Sequence, residues 1–120
     1  MIYREPLYIM ILKSDGEIQI KALEDTDEPT QEMLQEIVGG DIQAIPATYG
    51  ILIGNKEAKL YPLPFNRNAT ALMRHSLYEK WDEMSGDVAL VLQDGERMTG
   101  LPFRRATRIA DSLREAAMPA

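Results

Sequence analysis

The chain has no cysteine and a single histidine, His75, in 120 residues. Without thiols there is no disulfide, no thiolate-bound zinc and no cysteine nucleophile. With one imidazole, a histidine-rich metal site is excluded and a catalytic triad built on histidine lacks support. Long apolar runs are also missing. Leu7–Leu12 is continuous but short, far below the roughly 20 residues that span a bilayer. Arg4 and Glu5 precede it and no small-residue cleavage site follows, so it reads as a core strand rather than a signal peptide. The expected compartment is the cytoplasm of whatever cell makes the protein.

Excess basic charge is the third absence. Lys and Arg number 13 against 19 Asp and Glu, for a net charge of −6. Non-specific nucleic-acid binding depends on Lys and Arg displacing counterions from phosphates, so no direct DNA or RNA binding is expected. The excess acid is all in residues 1–60, which carry 11 acidic and 5 basic groups; residues 61–120 carry 8 of each. What is present is ordinary globular material, 45% hydrophobic and 27% charged. That length and composition imply one domain over residues 1–120, large enough to fold without metals or cross-links.

Leu7–Lys13, the turn Ser14-Asp15-Gly16 and the alternating Glu17–Ala22 read as a β-hairpin, with Ile18, Ile20 and Ala22 on one face. A helix is expected over about Pro29–Val38, favoured by Asp27 or Glu28 at its positive end and stopped by Gly39-Gly40. Its stripe is Met33, Leu34, Ile37 and Val38. Strands follow at Asp41–Ala47, with Pro46 marking an edge or bulge, and at Tyr49–Gly54. After a turn at Asn55-Lys56-Glu57 comes a short strand, Ala58–Leu63. Asn66–Glu79 reads as a helix capped by Asn66 or Asn68, with Ala69, Leu72, Met73 and Leu77 inward. Gly86–Gln93 is a strand ending in an Asp94-Gly95 turn. In the final helix, Phe103–Ala117, apolar residues Phe103, Ala106, Ala110, Leu113 and Ala117 recur at helical spacing. The order ββ-α-βββ-α-β-α implies an α+β fold, a single mostly antiparallel sheet with about three helices packed on a face.

Several segments share a pattern: Gly39-Gly40-Asp41-Ile42-Gln43, the strand Gly50–Asn55, Glu57-Ala58-Lys59-Leu60, and Leu63-Pro64-Phe65-Asn66-Arg67. Together with a strand running from a glycine to an acidic-glycine turn, as in Gly86–Gly95, this resembles a small domain-of-unknown-function family of phages, plasmids and actinobacteria. The resemblance covers about residues 5–105. Ala58 stands where that family usually has glycine, and Gln43 where it often has glutamate. It implies an α+β fold and a mobile-element origin, and carries no activity with it.

Four groups of residues bear on function. Asn55, Asn66, Arg67 and Asn68, with Arg74, combine amides that can read base edges with guanidiniums that hold phosphate; turn and cap duties are the competing role. Glu24, Asp25, Asp27, Glu28, Glu32 and Glu36 form an acidic stretch, and Glu28, Glu32 and Glu36 recur every four residues, as on one helix face. That face suits a basic partner protein, or serves only as a solvated surface. Arg97, Arg104, Arg105 and Arg108 suit an anionic ligand or the acidic groups of a second copy; as a plain solvated face, Arg108 would pair with Asp111. Trp81, beside Asp82 and Glu83, fits either an interface anchor or a cover for the core. The apolar stripe of the last helix fits core packing or a homodimer seam.

No spacing pairs carboxylates for catalysis, and no cofactor or metal is expected. The leading expectation is a non-enzymatic binding protein of a phage or mobile element that engages a host factor in counter-defence or host takeover. The alternatives are a nucleotide or small-ligand binder with an Asn/Arg anion pocket and an uncharacterised carboxylate-dependent enzyme.

Overall fold

A computed structural model describes residues 5–24, 26–58, 60–74 and 83–117. Asp25, Lys59, His75, Leu77 and Trp81 fall outside the described residues. The elements are β1 (Tyr8–Leu12), β2 (Ile18–Ala22), α1 (Gln31–Val38), β3 (Ile42–Ala47), β4 (Gly50–Asn55), α2 (Arg67–Met73), β5 (Val88–Asp94), β6 (Arg97–Thr99) and α3 (Phe103–Ala117). The sheet order is β2-β1-β5-β4-β3, and every pairing is antiparallel.

The Asp-Gly turn makes the β1–β2 hairpin as expected. Asp15 Oδ1 accepts from the Glu17 N–H at 2.8 Å, and Gly16 takes the left-handed φ of 97°. The second hairpin, β3–β4, is its own unit. The two hairpins are not paired with each other; β5 lies between them, pairing Val88–Leu90 with β1 and Ala89–Val91 with β4. Beyond Val91 the edge of β5 passes from β1 to β6, with Leu92 opposite Thr99 and Asp94 opposite Arg97.

Helices cover both faces of the sheet, which corrects the expectation of helices on one. Met10, Leu12, Leu52, Val88 and Leu90 face α2 and α3, whereas Ile9, Ile11, Ile51, Ile53, Ala89 and Val91 face α1. This explains why β1 and the first half of β5 are apolar at every position: strands buried on both sides cannot alternate. Edge strand β2 does alternate, with Ile18, Ile20 and Ala22 half-buried and Gln19 and Lys21 exposed. Each fully buried Leu or Ile contributes about 1.5–3 kcal/mol, so these two clusters dominate the stability.

Other boundaries shifted for local reasons. Ala58–Leu63 is not a strand. The Ala58 N–H donates to Asn55 O, Leu60 to Glu57 O and Leu63 to Tyr61 O, so the segment closes on itself in turns, and Pro62 and Pro64 have no N–H to give a ladder. The strand missing from the sequence reading is β6. Helix α1 starts after Thr30, whose backbone is extended and whose Oγ1 accepts the Met33 N–H at 3.1 Å, so Thr30 is the cap and Pro29 precedes it. Gly39 ends it in the left-handed conformation. Phe103 is not core: it is 51% exposed and lies against Tyr8, ring centroids 5.1 Å apart. Ile109 fills the inward stripe with Ala106, Ala110 and Leu113.

Candidate functional site

Helix α3 reaches the sheet through small residues. Ala106 and Ala110 are fully buried, so the helix sits close over β1 and β2. Helix α2 packs further along the same face, toward β3. Between the two helices runs a groove of about 470 Å³, lined by Ala71 and Leu72 of α2, Ile109 and Leu113 of α3, and Tyr49 from the turn before β4. Arg105 and Arg108 line it as well, three residues apart on α3 and exposed. Neither has an ion-pair partner among the described residues; Asp111, the expected partner of Arg108, lies instead 3.7 Å from Arg114. An apolar trough edged by two guanidiniums with no ion-pair partner among the described residues is thus set into a chain of net charge −6.

The amides expected beside these arginines lie elsewhere. Asn66 is fully buried. Its Oδ1 accepts the Ala69 N–H at 3.0 Å as the cap of α2, and its Nδ2 donates to Leu12 O and Gly86 O, both at 2.8 Å. It thereby ties the end of β1 and the loop before β5 to the start of α2. Asn68 is also buried and donates to Gly16 O at 3.3 Å, anchoring the hairpin tip. Asn55 closes β4 on the α1 side, donating to Val38 O at 3.2 Å while its Oδ1 accepts the Glu57 N–H at 2.8 Å. Arg67 is exposed at the start of α2, and Arg74 is exposed as its C-terminal cap. Arg104 is exposed on α3 outside the groove lining. The Asn/Arg set therefore does not converge, because the asparagines are used by the turns and caps of three separate junctions.

The acidic stretch is likewise divided. Glu28 precedes α1 rather than sharing its face, and its carboxylate takes a salt bridge from Arg97 of β6. That base lies 69 residues away along the chain. Glu32 and Glu36 remain exposed on α1.

A second cleft, of about 270 Å³, lies between α1 and the β1–β2 hairpin, with Lys13, Lys21, Glu36 and Asp87 among its lining. Lys13 and Asp87 are 2.9 Å apart. Burial pushes the Asp87 carboxyl up, but the Ser14 N–H at 2.9 Å and the Lys13 ammonium together outweigh it and hold the group below its ordinary value. The same hydrogen bond and charge raise Lys13. Nothing in the sequence marks this pair, whose members are joined only by the β1–β5 register. Among the described residues no group of three or more His, Asp or Glu is placed to hold a metal ion, and no helix is long and apolar enough to cross a membrane.

The fold and this site define a class: an α+β domain whose six-stranded antiparallel sheet is covered on both faces and carries an arginine-edged helix–helix groove. The chain belongs to the family described as Domain of unknown function (DUF3846), whose model matches residues 7–114. No curated protein and no solved structure matches it. The match runs beyond the region resembled in the sequence and takes in most of α3, the helix that carries the groove arginines.

Proposed function

We propose that the protein acts by binding, without bond-making chemistry of its own, and that the α2–α3 groove receives an acidic, apolar-faced segment of another protein. The observation that supports this reading is the groove itself. Its walls offer aliphatic surface that a helical or extended segment would bury, and the exposed Arg105 and Arg108 suit carboxylates flanking that segment. The dispersal of Asn55, Asn66 and Asn68 removes the base-reading amides on which a nucleotide pocket depended. In the mobile-element setting implied by the resemblance, the partner is a host factor and the encounter takes place in the host cytoplasm.

The test is affinity capture from host extract with wild-type protein and the Arg105→Glu/Arg108→Glu variant, read by quantitative mass spectrometry. A specific partner should fall at least about tenfold on the variant, the consequence of turning two attractive rim charges repulsive. Equal capture by both proteins overturns the assignment of this groove. A thermal shift with nucleotides that is abolished in the variant would replace the acidic segment with a small anion.

A further inference from the structure

We propose that the protein pairs with a second copy of itself through the free edge of β2, joining two sheets into one. The hydrogen-bond directions of the hairpin carry the argument. Lys13 N–H donates to Glu17 O and Leu23 N–H donates to Leu7 O, so the odd-numbered residues of β2 turn their backbone groups toward β1. In an antiparallel ladder these directions alternate. The N–H and C=O groups of Ile18, Ile20 and Ala22 therefore point away from the sheet, and among the described residues β2 pairs with β1 alone. Uncapped edges of this kind template further strands unless something blunts them.

The opposite edge is blunted. In β3, Lys56 N–H donates to Asp41 O, which turns the odd residues toward β4 and leaves Ile42, Ala44 and Pro46 facing out. Pro46 thus removes an outward donor from that edge. No such residue interrupts Ile18–Ala22.

The β2 edge is also complementary to itself. An antiparallel register that uses all three outward residues sets Ile20 opposite its own copy and Ile18 opposite Ala22 of the second copy. These side chains are half-exposed in the monomer and lie on the α2–α3 face. On the other face Gln19 comes opposite Lys21, and Lys21 comes diagonal to Glu17 of the second copy, within reach of a long side chain. Lys21 and Glu17 are both exposed, and the two-fold axis repeats the attraction. Like charges are not set directly opposite in this register; Lys21 is diagonal to its own copy once, against two Lys21–Glu17 attractions.

Sedimentation velocity of the full chain at up to about 100 µM, a range suited to a small interface, is the test. Wild type is expected to reach twice its 13.5 kDa mass. Lys21→Glu should weaken the dimer about tenfold, since it turns two cross-strand attractions into repulsions, and adding Glu17→Lys should restore it. Ala22→Pro, which deletes an outward N–H without touching the β1 ladder, should also shift the chain to monomer while leaving its circular dichroism unchanged. A wild-type monomer throughout this range overturns the proposal. So does a dimer indifferent to both Lys21→Glu and Ala22→Pro, or one that the charge exchange fails to restore.

Discussion

Replacing Asn66 by alanine tests how the α2–α3 face is held together. Asn66 makes three bonds from a position with no solvent exposure: one accepted from Ala69 N–H and two donated, to Leu12 O and Gly86 O. Losing the cap costs about 1 kcal/mol. Losing the donor to two buried carbonyls costs about 1 kcal/mol each. The sum, about 3 kcal/mol, is a large part of the 5–15 kcal/mol that typical domains possess. Urea denaturation should therefore show a much lower midpoint with an unchanged slope. Asn66→Asp separates the contributions: it keeps the cap acceptor and removes both donors, so it should be no better than alanine despite its good capping propensity. Arg67→Ala, next in sequence but exposed, should change stability by less than about 0.5 kcal/mol. If Asn66→Ala lies within about 0.5 kcal/mol of wild type, the three-way tie is not what fixes α2, and the assignment of Asn66 to the scaffold falls.

Three further outcomes follow from other junctions. The Asp87 carboxyl is held below its ordinary value of 3.8 in the folded chain, so its contribution is complete above that value and is lost as pH falls through the lowered one. The stability difference between wild type and Asp87→Asn, measured by urea midpoints, should be constant near neutrality and shrink below about pH 4; a difference that grows on acidification would contradict the pairing with Lys13. Gly50→Ala should cost about 2 kcal/mol or more, because Gly50 has φ of +148° and an added Cβ would lie 2.5 Å from the Val91 carbonyl oxygen. Gly95→Ala meets open space and should cost about 1 kcal/mol from its left-handed backbone alone.

Much of the fold is readable where local rules and packing agree. The Asp15-Gly16 hairpin, the alternation of β2 and the stripe Ala106–Leu113 all emerge as expected. The uninterrupted apolar character of β1 and β5 held the further information that helices lie on both faces, since strands cannot be apolar on both sides unless both sides are covered. Sequence rules failed where partners are remote or segments short. β6 has three residues, too few for a period, and exists because β1 leaves the second half of β5 unpaired. The segment after Asn55 carries strand-like residues, yet its N–H groups are taken locally. At the candidate site, residue type marked the arginines of α3 and left the asparagines open between base reading and turn or cap duty, and the structure has Asn66 as a cap and Asn55 in a turn. An amide suits a base edge and a helix cap equally well, and only burial distinguishes them. The pairing of Glu28 with Arg97 was not legible because the arginine is brought to it by a strand the sequence did not reveal.

The order in which the sheet is laid down has a consequence for how the chain matures. Its two ribbons, residues 8–22 and 42–55, are complete early in synthesis, but the strip that fastens one to the other is supplied only from Val88 onward. Until that keystone emerges, each ribbon has greasy surface and no common sheet to shield it. A shared interior must therefore wait for Val88 and the residues after it before it can close, and folding is dominated by contacts between distant stretches, a topology that favours slow, late and concerted assembly.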